Sequence, residues 1–333
     1  MRIVHTPDEL GAPYGADPPR AVVPTMGALH EGHAANIRAA RELLPPDGLV
    51  IVTVYVNPLQ FGAGEDFDRY PRTLEDDARV ARAAGADLIF APSDALMYPA
   101  GEPLVRLSAG PMGEPLEGAS RPGHFDGVLT VVAKLLHLTA PRYALFGEKD
   151  AQQLALVRRM VADLNFPVKI VGVPTVREDD GLALSSRNRY LGAAERRTAL
   201  ALSRALFAAR DRLSAEAALA GRAEAAAVPH GDRARRLAAL HEERASADAA
   251  ALAAATATRP GSAASARAAA RTVLTEASRL TPPLELDYLA LVDPATFREV
   301  PDSHTGEAIM AVAAKVGSTR LIDNTRLTLG AAG

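Results

Sequence analysis

The chain has 333 residues, 48% of them hydrophobic and 23% charged, with a formal net charge of -3. That composition belongs to a globular protein long enough for two domains, and its charge balance leaves no electrostatic footprint for nucleic acid or a membrane surface. With no cysteine and no tryptophan, disulfides, thiolate metal centres, cysteine nucleophiles and an aromatic platform for single strands drop out.

Residues 1–9 carry no apolar stretch of the signal-peptide kind. The longest strongly apolar run, 49–56, is far too short to cross a bilayer. The expectation is a cytoplasmic protein with small-molecule partners.

The first short apolar run, Ala21-Val22-Val23, predicts a strand, and residues 34–44 predict a helix. Between them lies Pro24-Thr25-Met26-Gly27-Ala28-Leu29-His30-Glu31-Gly32-His33. A turn leading from strand to helix is where α/β proteins bind phosphate, because the first N–H groups of a helix lack intrahelical partners and its dipole favours an anion. Gly27 and Gly32 permit close backbone approach or positive φ. His30 and His33, three apart, share one face of a helical turn and can donate hydrogen bonds to oxygens that gain charge. A metal role for the pair lacks an assigned third ligand.

Residues 49–56 are β-branched and apolar throughout, as in a strand buried on both faces. Asn57 and Gln60 stand at its carboxyl end, where amides orient a polar ligand or close their own turn. Thr73-Leu74-Glu75-Asp76 has the form of a capping box and opens a helix to about residue 84. Asp76-Asp77 there is explained by the helix dipole without a metal. Residues 87–90 predict a strand. The segment 117–125, punctuated by Gly118 and Gly123, reads as a lid or a dimer contact. Apolar residues at 128, 131, 132, 135 and 136 have helical period.

Residues 143–146 predict a strand, 152–164 a helix and 168–173 a strand. In the exit loop Gly147-Glu148-Lys149-Asp150, Lys149 can neutralise phosphate while Asp150 can hold ribose, a metal-bound water or the helix N-cap. Leu184-Ser185-Ser186-Arg187-Asn188-Arg189 is rich in donors suited to a polyphosphate. The alternation predicts an α/β, Rossmann-like, doubly wound parallel sheet with ligands at the strands' carboxyl ends. Its domain spans 1–175. Residues 176–333 form a smaller C-terminal α+β domain, with an Ala/Arg-rich insertion at about 215–268 read as helices on mobile links. Strands return at 284–292 and 308–316, with Arg320–Asn324 close behind.

Several blocks together resemble the pantoate–β-alanine ligase family, within the HxGH nucleotidyltransferase superfamily. They are PTMGALHEGH at 24–33, VNPLQFG at 56–62, YPRT at 70–73, RPGHFDGVLTVVAKLL at 121–136, FGEKDAQQL at 146–154, VPTVREDDGLALSSRNRYL at 173–191 and STRLIDN at 318–324. The resemblance implies ATP-dependent joining of (R)-pantoate and β-alanine through a pantoyl adenylate, with Mg²⁺, in a cytoplasmic homodimer. It assigns ATP to Pro24, Thr25, Met26, Gly27, His30, Gly32, His33, Gly147, Glu148, Lys149, Asp150, Val176, Leu184, Ser185, Ser186 and Arg187. His33 is implied as proton donor, and His30, Lys149 and Arg187 as further catalytic groups on the phosphates. Gln60, Gln153 and Asn57 are implied for pantoate, and Gln60 also for β-alanine. Leu184, Ala151 and Tyr55 depart from the residues common in the family. A nucleotidyltransferase of the same fold would need basic residues for an acceptor phosphate where this chain has Asn57, Gln60 and Gln153.

Overall fold

The computed structural model describes residues 1–11, 18–62, 64–65, 67–224, 230–257 and 261–330. The chain divides into two compact units, Met1–Tyr190 with Ala295–Phe297, and Leu191–Pro294 with Arg298–Gly333. The division falls after Tyr190 and not at 175/176, because residues 176–190 fold against the first unit. Leu184 N–H donates to Val176 O (3.0 Å) and Glu178 N–H to Leu182 O (2.8 Å), making a hairpin. The Asn188 amide ties it off through Glu178 (2.6 Å) and Ala183 O (3.0 Å).

In chain order the first unit comprises β1 (Arg2–Val4), α1 (Pro7–Leu10), β2 (Arg20–Thr25), α2 (Glu31–Leu43), β3 (Leu49–Val54), α3 (Leu74–Ala83), β4 (Leu88–Phe90), α4 (Asp94–Met97), α5 (Glu117–Ser120), α6 (His124–Thr139), β5 (Tyr143–Gly147), α7 (Ala151–Asp163) and β6 (Lys169–Val173). Its six strands are parallel, in the order β1-β4-β3-β2-β5-β6. Period-two alternation sends Val22, Ile51, Phe90 and Phe146 to one face, against α6 and α7. Ala21, Val23, Val50, Val52 and Leu145 go to the other, against α2 and α3. Val50, Ile51 and Val52 are fully buried, as the unbroken apolar run predicts.

The topology makes the crevice. From β2 the chain steps outward through β3 to β4, and later through β5 to β6 on the other side, so the order reverses between β2 and β5. β2 pairs with β3 along its whole length but with β5 only at Ala21 and Val22. β5 stays with β6 as far as Gly147. Beyond Val22 the two central strands part, and the loops 26–30 and 148–150 leave from the opened ends.

The second unit contains α8 (Ala193–Ala199), α9 (Ala201–Glu224), α10 (His230–Ala239), α11 (Glu243–Ala257) and α12 (Ala263–Ala277). Strands β7 (Leu284–Val292), β8 (Gly306–Val316) and β9 (Thr319–Leu329) follow as an antiparallel meander. β9 extends well past the predicted Arg320–Asn324. Small residues let α9 and α12 pack closely: Ala205 and Ala209 on one and Ala266 and Ala270 on the other are all fully buried. The Ala/Arg-rich stretch is helical where described. Of the breaks expected at Pro229-His230-Gly231 and Pro260-Gly261, Pro229 and Pro260 lie outside the described residues, while His230 and Gly231 open α10 and Gly261 has φ +73°.

Candidate active site

At the parted ends of β2 and β5 lies a cavity of about 250 Å³, lined by residues of the first unit. Pro24, Thr25, Met26, His30, Gly32 and His33 come from the β2–α2 turn; Gly147, Lys149, Asp150 and Gln153 come from the β5–α7 turn. The hairpin 176–184 and the residues after it add Val176, Leu184, Ser185, Ser186 and Arg187, and Gln60 comes from the 3₁₀ turn Pro58–Gln60. Blocks separated by more than 100 residues of sequence are thus brought to one hollow.

The helix start is not the open anion cradle that the sequence suggests. His30 is the N-cap of α2, and its Nδ1 accepts from Gly32 N–H (3.1 Å). His33 Nδ1 accepts from His30 N–H (3.2 Å). The rings lie 4.1 Å apart, tilted by 38°. Gly27 N–H is taken by Thr25 Oγ1 (3.1 Å), and Ala28 and Leu29 N–H by the two oxygens of Asp77 (3.2 and 2.7 Å). His33 N–H and Ala34 N–H both turn to His30 O. The N–H groups of Gly27, Ala28, Leu29, His30, Gly32, His33 and Ala34 are thus taken from within the protein, which leaves side chains as the main donors to an anion here.

The same bonds fix the imidazoles. A ring nitrogen that accepts from a backbone N–H carries no proton, so in the neutral ring the proton sits on Nε2. Burial first, then the charges of Lys149 and Arg189, brings the His30 pKa down to about 4. Burial, then His30 itself, brings His33 down to about 3. Both rings are neutral near pH 7 and donate hydrogen bonds. Each ring then has an Nε2–H to offer as a hydrogen-bond donor. Gly32 is required beside them, since a Cβ there would stand 2.9 Å from the His30 ring.

The remaining polar wall is held from behind. Gln60 Nε2–H donates to Met26 Sδ (2.9 Å), and its Oε1 accepts from Asn57 Nδ2 (3.1 Å). Its main-chain oxygen accepts from His124 Nδ1 (2.9 Å). Arg121 is paired with Glu65 (2.6 Å) and lies 3.1 Å from His124 Nε2. Burial, then the Arg121 charge, depresses the His124 pKa. The lining also has an apolar part: Val128, Val131, Val132 and Leu135 of α6, with Tyr55 and Phe146.

Three assigned residues do not line the cavity. Asn57 is fully buried, and its amide is consumed by Gln60, Gly127 O, Leu59 N–H and Tyr98 Oη. Gly27 faces Asp77, and the Glu148 carboxylate lies beside Gly172. Asp150 occupies the N-cap of α7 but makes no cap hydrogen bond with its side chain, and among the described residues it is the one carboxylate on the cavity wall. Asn36, Tyr70 and the α6 stripe are lining residues to which sequence reasoning gave no site role, while Arg121 and His124 come from the segment it read as a lid or a dimer contact.

A parallel α/β sheet with a donor-rich hollow at its switch point defines an enzyme of the nucleotide-using class. The family model described as Pantoate-beta-alanine ligase matches residues 3–326. A pantothenate synthetase of Streptomyces avermitilis is 66% identical over 332 residues, covering 99% of this chain and 98% of that protein. One from Streptomyces coelicolor is 68% identical, covering 94% and 92%. The crystal structure of pantothenate synthetase from Thermus thermophilus superposes with a TM-score of 0.76 at 43% identity, covering 98% and 99%. A Francisella tularensis pantoate-beta-alanine ligase complexed with beta-gamma ATP and beta-alanine gives 0.66 at 28% identity, covering 100% and 99%. The chain belongs to the pantoate–β-alanine ligase family. It is an ATP-dependent ligase that joins pantoate to β-alanine.

Proposed function

We propose that the cavity carries out both half-reactions, with the division of labour that its walls suggest. In the first, a pantoate carboxylate oxygen bonds to the α-phosphorus of ATP and the bond to pyrophosphate breaks. Two anions meet, so the site must supply positive charge and oriented donors more than a base. The Nε2–H groups of His30 and His33, the Lys149 ammonium, the Arg187 guanidinium and the hydroxyls of Ser185 and Ser186 serve the phosphates. Gly147 and Asp150 face the ribose and Val176 the adenine. Gln60 and Gln153 hold the polar groups of pantoate, while its branched carbon packs on Val128, Val131 and Val132. In the second half-reaction the β-alanine amine, next to Gln60, attacks the acyl carbon and AMP leaves.

The observation that supports this most directly is that His30 and His33 each accept a backbone N–H at Nδ1, which leaves Nε2 of both rings as the donor, on a cavity wall shared with Lys149. Mg²⁺ fits as a partner of the triphosphate. A magnesium ion takes one or two carboxylates and completes its shell with phosphate oxygens and solvent, and Asp150 is the carboxylate on the wall. Bound there, it would neutralise phosphate charge. The reading extends to a cytoplasmic homodimer, in keeping with the family resemblance.

Pantoate-dependent exchange of pyrophosphate into ATP, without β-alanine, tests the first step. His33→Ala should lower that exchange about a hundredfold, the effect of removing one transition-state donor worth ~3 kcal/mol. Undiminished exchange would remove His33 from the mechanism. Light scattering in solution tests the dimer.

A further inference from the structure

Asp77 lies in the first turn of α3 and is 1% exposed. It does not line the cavity. The helix dipole accounts for its neighbour Asp76, which is exposed and paired with Arg79, but not for Asp77. Both Asp77 oxygens are committed to a turn some fifty residues away in sequence: Oδ2 to Ala28 N–H (3.2 Å) and Oδ1 to Leu29 N–H (2.7 Å). The Thr73 side chain adds a hydrogen bond to the same carboxylate, and Asp77 N–H donates to Thr73 O (2.9 Å).

We infer that Asp77 is a positioning residue for adenylation: it holds the Gly27–Leu29 turn in the shape that presents His30 and His33 to the phosphates. The inference rests on the reading of those imidazoles given above. The turn does not hold this shape by itself. Gly27 has φ +86° and Ala28 φ +50°, and a residue with a Cβ persists in the left-handed region only when its surroundings over-determine it. Two adjacent N–H donors converge on one group, so both of its oxygens must accept. A carboxylate does this; an amide offers one acceptor and aims its NH₂ at the other donor. The two sides are matched in space, since a Cβ on Gly27 would stand 2.9 Å from Asp77 Oδ2. His30 follows Leu29 directly as the N-cap, and His33 is tied to His30. Any slip at 28–29 therefore reaches both rings.

Asp77→Asn, nearly isosteric, separates positioning from general damage. It is expected to slow pantoate-dependent ATP–pyrophosphate exchange ~100-fold, the scale of a 1 Å misplacement. Capture of supplied pantoyl adenylate by β-alanine, a step to which the proposed division of labour gives no imidazole, should stay within about twofold of the parent. Exchange within about twofold of the parent, or equal losses in both half-reactions, would overturn the role. If the variant does not melt cooperatively, Thr73→Val at an exposed position replaces it. Its expected signature is the same one-sided loss at about fivefold, and unchanged exchange there overturns the role as well. His33→Ala is run alongside. Normal exchange in both His33→Ala and Asp77→Asn removes the functional reading; normal exchange in Asp77→Asn alone removes only the part given to Asp77.

Discussion

Gly127 and Leu59 meet backbone to backbone: a Cβ on Gly127 would stand 2.2 Å from the Leu59 carbonyl oxygen and 2.7 Å from Gln60 N. The α6 helix is thereby pressed against the turn that carries Gln60, and Asn57 Nδ2 donates to Gly127 O (3.1 Å) across the same seam. Gly127→Ala should cost about 1–3 kcal/mol through overpacking, read in urea denaturation. Because Gln60 rides on the displaced turn, the KM for pantoate in the exchange assay should rise as well. A midpoint and KM equal to the parent's would mean that the seam yields without resistance.

Asn57 and Gln60 should separate under substitution. Asn57→Ala leaves buried partners unsatisfied, at roughly 1–3 kcal/mol, so chemical denaturation should show a clear loss. Gln60→Ala removes an amide on the cavity wall. It should raise the KM for pantoate by up to about tenfold, the worth of one hydrogen bond, with little change in stability. An effect of Gln60→Ala on ATP alone would contradict its assignment to pantoate.

The depressed imidazoles set a direction for pH. Their folded values, about 4 for His30 and about 3 for His33, lie below the ordinary 6.5. Between those limits the unfolded chain binds protons that the folded chain refuses, so this contribution is complete above pH 6.5 and is lost as pH falls. Unfolding free energy should therefore drop between about pH 7.5 and 5, and drop less in His33→Gln. The adenylation rate should show no imidazole inflection near the ordinary value of 6.5; one at that position would place a protonated histidine in the mechanism.

The segment 225–258 should be dispensable for chemistry. The described residues lining the cavity all belong to the first unit. A wider cut to 262 would be harmful, because Gly261 N–H (3.0 Å) and Ser265 Oγ (2.9 Å) both donate to Glu216, and Gly330 N–H donates to Gly261 O (3.0 Å). Deleting 225–258 with a short linker should keep exchange within about twofold and lower the melting temperature of the second unit, since α11 packs on α9 and buries Ala249. Lost exchange in a soluble, folded deletion variant would show that the segment serves the site.

What could be read beforehand was local. The run 49–56 announces a doubly buried strand, which ends at Val54, and the His30–His33 spacing announces a paired site, because both signals lie within a few adjacent residues. Asp77 was read only as a helix-dipole residue, because its partners are Ala28 and Leu29 and no periodicity links a carboxylate to a turn two elements back. The stripe Val128, Val131, Val132 and Leu135 was legible as a helix face, yet its second role as a cavity wall follows from where the sheet parts. Thr73 had the pattern of a capping residue, but its side chain makes no cap hydrogen bond and goes to Asp77 instead. Asn57 stood at the right strand end and still faces away from the hollow, because Tyr98 and Gly127 claim its amide first.

If pantoate packs on the valines of α6 as proposed, their apolar surface would also bear on how long the activated acid survives. An acyl phosphate anhydride hydrolyses wherever solvent can lodge beside its carbonyl. Val128, Val131, Val132 and Leu135 form a floor with no hydrogen-bonding side chain to anchor a water molecule. On the proposed placement of pantoate, this stripe would shield the activated acid from hydrolysis until the amine arrives.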